Sequence, residues 1–229
     1  ALFAPLAFGR WAALTSAGLL LAFWIFAGAV TAFVVRYRAQ PVAQGPLGRL
    51  RNLPTAFLGM LLAHAGVGVF IAGVTLVKSY EAERDVRMAP GDTTMLGGYT
   101  FRFEGVHDVA GPNYTAVRAR VTVLRDGALV ARLAPEKRVY RVQQMPMTEA
   151  AIDPGIARDL YVALGEPAGG NAWSVRVHVK PFVGWIWGGC LVMALGGLLA
   201  ASDRRYRVGV RRRAETAAED ATVISRGAA

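Results

Sequence analysis

The sequence predicts a membrane protein in which α-helical transmembrane spans carry one small all-β domain, barrel-like or sandwich-like, on the exported side. Three strongly apolar runs contain no charged side chain and are long enough to cross a bilayer as helices. Between the second and third runs, residues 79–180 alternate between apolar and polar side chains, which is the period of β-strands. Arginines gather beside the apolar runs, as they do on the cytoplasmic side of membrane proteins.

The first predicted span, residues 11–35, is too long for the apolar core of a signal peptide. Small or polar residues that suit helix contacts in it are Thr15, Ser16, Gly18 and Gly28. A basic loop, residues 36–54, follows it. Its arginines, without an acidic residue among them, are Arg36, Arg38, Arg49 and Arg51. The positive-inside rule therefore predicts that this loop is cytoplasmic and that the next helix ends outside.

The second predicted span, residues 55–78, contains one ionisable side chain within the apolar run, His64. An imidazole in hydrocarbon is costly unless it is paired or bound, so His64 is a candidate functional residue. Its helix face is shared by Met60, Val67, Gly68 and Ile71. We expect Gly68 to leave open space beside the ring, which would suit an axial ligand to haem. The alternative is that His64 only hydrogen-bonds to a neighbouring helix.

The same span has small side chains on which other helices can pack. They are Gly59, Ala63, Gly66, Ala72 and Gly73.

The exported region, residues 79–180, is predicted to hold five to seven strands in a small barrel or sandwich. The predicted strands include residues 98–106, 116–124, 129–133, 160–164 and 173–180, and alternation is clearest in 116–124 and 173–180. A hairpin turn at residues 125–128 joins two of them, because Asp-Gly favours tight β-turns. We expect a short helix within residues 147–158.

The third predicted span, residues 181–201, has Trp185 and Trp187 near its outer end, where indole rings prefer the membrane interface. The single cysteine, Cys190, falls inside this span and is expected to pack as a small apolar residue. Residues 202–229 begin with a basic stretch and are expected to continue as a disordered cytoplasmic tail.

The net charge of +10 is distributed as in a membrane protein. Residues 78–180 hold 14 basic and 12 acidic side chains, so most of the excess lies beside the apolar runs. This distribution argues against a nucleic-acid-binding groove. The sequence also contains no glycine-rich phosphate loop, no Ser/His/Asp arrangement and no metal-ligand cluster.

The two remaining histidines are expected at the solvated surface. His107 precedes Asp108 in a predicted turn, and His178 falls on the polar side of the last predicted strand. Several arginines of the β-domain are also expected on solvated faces, although guanidinium groups suit haem propionates or a partner's carboxylates. They are Arg84, Arg87, Arg138, Arg141 and Arg176.

Several motifs resemble one family in order along the chain. The run GMLLAHAGVGVFIAGV (residues 59–74) resembles the late histidine-bearing helix of CcmF, the haem lyase family of bacterial cytochrome c maturation. The likeness continues through ERDVRM (83–88), GPNY (111–114), EKRVY (136–140), MTEAAID (147–153), RDLYVALGE (158–166), KPFVGWIW (180–187), MALGGLLA (193–200) and DRRYR (203–207).

The resemblance implies a polytopic protein of the bacterial inner membrane with its large domain in the periplasm. Members of this family take haem from the chaperone CcmE and attach it to the two thiols of a CXXCH motif in apocytochrome c. The CcmH/CcmI subunits present that apocytochrome. The family also holds a b-type haem between two membrane histidines, and His64 matches one of them by its surrounding motif. The resemblance therefore implies that His64 is an axial ligand to the iron of haem b.

The likeness is to the C-terminal third of the family. Its tryptophan-rich haem-handling segment, two periplasmic haem-ligating histidines and second membrane histidine lie upstream of that third. The resemblance therefore assigns no catalytic residue here, and lyase activity is not expected from this segment alone.

Two alternatives to a haem-holding role are open from the sequence. One is a non-catalytic assembly module, in which the helices anchor a β-domain that docks maturation partners. The other is a transporter or channel subunit, which the absence of charged residues inside the spans disfavours.

Overall fold

A computed structural model describes residues 13–41, 43, 45–142 and 144–203. They divide into two compact units, one containing residues 16–72 and 186–203 and the other containing residues 13–15 and 73–185. The predicted fold class is confirmed, because three apolar helices that could span a membrane accompany an all-β sandwich. Residues 11–12 of the first predicted span and the predicted tail from residue 204 lie outside the described residues.

Three helices are long and apolar enough to cross a membrane: α1 (Ala13–Arg38), α3 (Thr55–Tyr80) and α4 (Val183–Ala201). The basic residues of α1 and α3 stand in their last turns, where cations interact favourably with the helix dipole. The carboxylate of Asp203, just after α4, accepts a hydrogen bond from the Ala56 N–H at 3.0 Å. Asp203 therefore caps the first turn of α3 from another part of the chain.

The basic segment predicted as a loop contains a short helix, α2 (Gly45–Arg51). Pro46 suits its first turn because a proline there removes an N–H that would have no partner within the helix. The Arg49 guanidinium lies over the Tyr37 ring at 5.7 Å and donates a hydrogen bond to the Pro41 carbonyl at 3.2 Å.

Helices α3 and α4 approach closely through facing small residues. A Cβ atom at Gly59 would lie 2.4 Å from the Ala200 nitrogen, and one at Gly66 would lie 2.6 Å from the Met193 nitrogen. A Cβ atom at Gly196 would lie 2.4 Å from the Ala63 nitrogen. The predicted packing role of the small residues on the second span is therefore confirmed for these positions.

All ten strands of the described residues lie within residues 82–181, which we call the β-unit, and they form a sandwich of two antiparallel sheets. One sheet has the order β1-β10-β9-β8, and the other has the order β2-β3-β4-β6-β7 with β5 paired to β4. The strands are β1 (Ala82–Met88), β2 (Thr93–Leu96), β3 (Tyr99–Ala110), β4 (Tyr114–Arg125), β5 (Ala128–Leu133), β6 (Glu136–Tyr140), β7 (Pro146–Glu149), β8 (Ala151–Asp153), β9 (Arg158–Pro167) and β10 (Trp173–Pro181).

The core lies between the two sheets and is built from the inward faces of four long strands. Deeply buried residues on these strands include Phe101, Phe103, Val121, Val123, Leu160, Val162, Leu164, Val175 and Val177. The predicted hairpin between β4 and β5 is present, with Asp126 at φ 50° and Gly127 at φ 78°. Positive φ at both central residues is the signature of a type I′ turn, whose twist matches the strands.

The short helix predicted within residues 147–158 is wrong. The structure has β7 and β8 there, paired to β6 and β9. Both strands are short, so their pairing with the adjacent strands β6 and β9 decides their conformation. The described residues contain ten strands, more than the predicted five to seven, because short or charged strands such as β1 give a weak alternation signal.

Candidate functional site

His64 lies on α3 with its ring held by the helix itself. Its Nδ1 atom is 2.8 Å from the Met60 carbonyl oxygen, one helical turn earlier. A carbonyl oxygen can only accept, so Nδ1 carries the proton of this bond. In the neutral ring the lone pair is then on Nε2, for which no partner is present among the described residues. A donor bond from the other ring nitrogen to a carbonyl is the usual support of a metal-binding histidine.

The ring faces an open groove of about 370 Å³ between α1 and α3. The groove is lined by Trp24, Ile25, Gly28, Ala29, Ala32, Met60, Leu61 and His64. Apart from the imidazole and the indole N–H, these side chains are apolar. A Cβ atom at Gly28 would have no neighbour within 4 Å, so this glycine widens the groove on the α1 side. An apolar groove with one nitrogen ligand fits one face and one axial position of a haem.

Gly68 does not leave open space beside His64, contrary to the prediction. The Phe26 ring of α1 fills that position, and a Cβ atom at Gly68 would lie 2.8 Å from it. Gly68 therefore lets α1 pack closely against α3. The open space lies at Gly28, on α1. The sequence alone does not show that α1 is the helix facing His64, so it could not predict this role of Gly28.

The two faces of α3 have different roles. Gly59, Ala63 and Gly66 meet α4, whereas His64 and Gly68 lie toward α1. The sequence predicted both the small-residue surface and the candidate ligand, but it did not identify the residues of α1 that form the opposite wall of the groove.

The other two histidines stand in the β-unit. His107 is exposed as predicted, although it lies in β3 and not in a turn. His178 is buried, with 8% of its surface exposed, so its predicted place at the solvated surface is wrong. The Tyr161 ring of the neighbouring strand meets it edge-on at 4.8 Å. Burial lowers the pKa of His178, although the Glu83 carboxylate opposes this effect. Among the described residues, no group of three or more His, Cys, Asp or Glu side chains forms a metal site.

Three of the arginines predicted to lie on solvated faces have partners within the β-unit. Arg176 donates two hydrogen bonds to the Asp85 carboxylate, at 2.7 and 2.8 Å. Arg87 donates to the carbonyls of Ala168 and Gly169. These guanidinium groups hold strands and loops together.

Arg138 belongs to a network around a buried carboxylate. It donates to Glu136 at 2.6 Å and lies over the Tyr114 ring at 4.6 Å. Arg118 donates to the other oxygen of Glu136 at 2.5 Å. Burial pushes the pKa of Glu136 upward, but these two hydrogen bonds hold it below its usual value. The network joins β4 to β6.

The β-unit coincides with a known domain. A family model described as the CcmF C-terminal beta-sandwich matches residues 79–181. The CcmF cytochrome c-type biogenesis protein of Pseudomonas aeruginosa is 51% identical over 208 residues, which is 91% of this chain and 31% of that protein. The chain belongs to the CcmF family.

A second CcmF protein, from Pseudomonas fluorescens, is 49% identical over 222 residues, covering 95% of this chain and 32% of that protein. A solved structure titled cytochrome c haem lyase CcmF has a TM-score of 0.58 at 20% identity. The match covers 80% of this chain and 34% of that one, and it supports the same fold. The chain thus spans about a third of the length of the CcmF relatives it matches.

Proposed function

We propose that this CcmF-family chain holds a b-type haem in the membrane, with His64 Nε2 as one axial ligand, as part of a cytochrome c haem lyase. The observation that carries the proposal is the hydrogen bond from His64 Nδ1 to the Met60 carbonyl. It leaves the Nε2 lone pair free on a ring that lines an apolar groove.

The donor set fits one side of a haem. Imidazole nitrogen is a common axial ligand of haem iron, and the groove offers apolar surface to a porphyrin face. The second axial ligand is proposed to come from outside the described residues. When bound, the haem supplies a redox-active iron, while this chain's residues fix the orientation of the ligating ring and exclude water from it.

The proposed context is cytochrome c maturation at the bacterial inner membrane. The β-unit would lie in the periplasm, and the haem chaperone CcmE, the CcmH/CcmI subunits and apocytochrome c would be its partners. The family membership supports this assignment, since its named members are cytochrome c-type biogenesis proteins.

The test is the reduced-minus-oxidised spectrum of the purified full-length protein. His64→Gly should abolish the b-type absorbance of this site, and added imidazole should restore part of it by filling the ligand position. His107→Gly is the matched control, because this exposed histidine lies in the β-unit and should leave the spectrum unchanged. Gly28→Phe should also reduce haem content with His64 intact, because the new ring would occupy the groove. Unchanged haem content in His64→Gly would refute the proposal.

The second candidate function is an assembly module whose β-unit docks maturation partners. It is favoured by the self-contained core, which lies wholly between the two sheets of the β-unit. Binding of CcmH or CcmE by an expressed segment of residues 79–181, together with normal cytochrome maturation in His64→Gly, would select this function over the first.

A further inference from the structure

The turn between β8 and β9, residues 154–157, presents an apolar side chain with little protein cover. Ile156 is 86% exposed at the tip of this turn. An isoleucine so exposed in water gains nothing from the hydrophobic effect, whereas contact with lipid would bury it.

The turn is held in place at its base. The Gly155 N–H donates to the Asp159 carboxylate at 3.1 Å, and the Arg158 guanidinium donates to the Asp153 carbonyl at 3.1 Å. A Cβ atom at Gly155 would lie 2.7 Å from the Arg158 carbonyl oxygen, so the turn is too tight for a side chain there. Ile156 is therefore presented by an ordered turn.

The same turn is joined to the beginning of a helix that could cross the membrane. The Phe182 N–H donates to the Ala157 carbonyl at 3.1 Å, and the Trp185 indole N–H donates to the Ile156 carbonyl at 3.0 Å. Phe182 and Trp185 stack edge-on at 5.3 Å at the start of α4. Indole rings at the ends of membrane helices prefer the level of the lipid headgroups. The two hydrogen bonds therefore fix Ile156 beside residues suited to the membrane interface.

We propose that residues 154–157 form a membrane-interface contact that inserts Ile156 among lipids beside the start of α4. The partner is the lipid surface itself, and the contact is independent of haem. Its role is positional, because it would fix the β8–β9 end of the sandwich at the bilayer surface. Exposed apolar residues elsewhere in the sandwich, such as Val142, have no such hydrogen bonds to a membrane-type helix among the described residues.

The test measures the surroundings of position 156 in the full-length protein, with its other cysteines replaced. Ile156→Cys carries a bimane fluorophore, and the protein is reconstituted in nanodiscs of phosphatidylcholine and phosphatidylglycerol. Asn171→Cys is the matched control, since it lies in the exposed loop at the opposite end of β9 and β10. Eight residue steps along β10 separate the two ends by about 26 Å, at roughly 3.3 Å per residue.

Nitroxide-labelled lipids should quench bimane at position 156 several-fold more than at position 171, and aqueous iodide should quench it several-fold less. Pro154→Cys, an exposed neighbour in the same turn, gives a second reporter with the same expected preference if Ile156→Cys does not fold. Equal iodide quenching at positions 156 and 171 would overturn the proposal. Protection of position 156 from both quenchers would overturn it as well, because protein and not lipid would then cover the turn.

Discussion

Because α3 and α4 approach closely at Gly196, we predict that adding a methyl group there destabilises the helix pair. Its Cβ atom in Gly196→Ala would lie 2.4 Å from the Ala63 nitrogen and 2.7 Å from the Gly59 carbonyl oxygen. Ordinary heavy-atom contacts are about 3.5–4.0 Å, so the two helices must separate by roughly 1 Å. The obstructing atoms belong to backbone, so no side chain can turn away to relieve the clash.

The matched control is the neighbouring glycine of the same helix. A Cβ atom at Gly197 meets no other atom within 4 Å, so Gly197→Ala adds a methyl group without a clash. Both substitutions gain the same helix propensity, about 1 kcal/mol, and that gain cancels in their difference. Overpacking costs about 1–3 kcal/mol. The free energy of unfolding of Gly196→Ala should therefore be lower than that of Gly197→Ala by about 1–3 kcal/mol.

The assay is reversible unfolding in mixed micelles with increasing sodium dodecyl sulfate, followed by tryptophan fluorescence. Gly189 and Gly188 provide an independent second pair, because a Cβ atom at Gly189 would lie 2.6 Å from the Phe70 nitrogen while one at Gly188 meets nothing within 4 Å. Equal stability within each pair of variants would refute the close packing of α3 against α4.

Three further predictions concern stability and its dependence on pH. Asp203→Ala should lower the free energy of unfolding by about 1–2 kcal/mol, because α3 loses the carboxylate that accepts the Ala56 N–H. In the same micelle assay, Asp203→Asn should lose less stability, because an amide oxygen can still accept this hydrogen bond. Glu136→Gln should destabilise the β-unit by about 1–3 kcal/mol, since its two arginine partners lose a charged acceptor. Folding lowers the pKa of Glu136, so its contribution to stability is present above the usual pKa of 4.5 and is lost as the pH falls through the folded value. In denaturant titrations, the free energy of unfolding of Glu136→Gln should therefore fall less on acidification than that of the unsubstituted protein. Folding lowers the pKa of His178 below 6.5, so as the pH drops the unfolded chain binds this proton first and the free energy of unfolding falls. His178→Gln should reduce the dependence of the free energy of unfolding on pH between about pH 7 and pH 5.

Local patterns predicted much of this fold. The apolar runs predicted the three long helices, and strict alternation predicted the strands that supply the core, such as β4 and β10. The Asp126-Gly127 turn was predicted because its chemistry is contained in two adjacent residues. In each case the signal lies within the element itself.

The features that the sequence could not predict depend on neighbours outside the element concerned. His178 is buried because Tyr161 of β9 covers its ring, and a single strand's alternation contains no information about that cover. The space at Gly68 is taken by Phe26, which lies on another helix. Strands β7 and β8 form where β6 and β9 offer them hydrogen bonds. Pairing and packing with other elements thus decide these cases.

The orientation of His64 is set by α3 and α4 more than by the groove wall it faces. The hydrogen bond to Met60 ties the ring to its own helix, and backbone-level contacts at Gly59 and Gly66 fix that helix against α4. Helix α1 meets α3 at Phe26 and Gly68 and otherwise leaves the groove open at Gly28. A ligand atom must be placed accurately, whereas an apolar wall needs only to exclude water. In the proposed haem site, the tightly packed side of α3 would therefore position the nitrogen, and the loosely packed side would leave room for the flat cofactor.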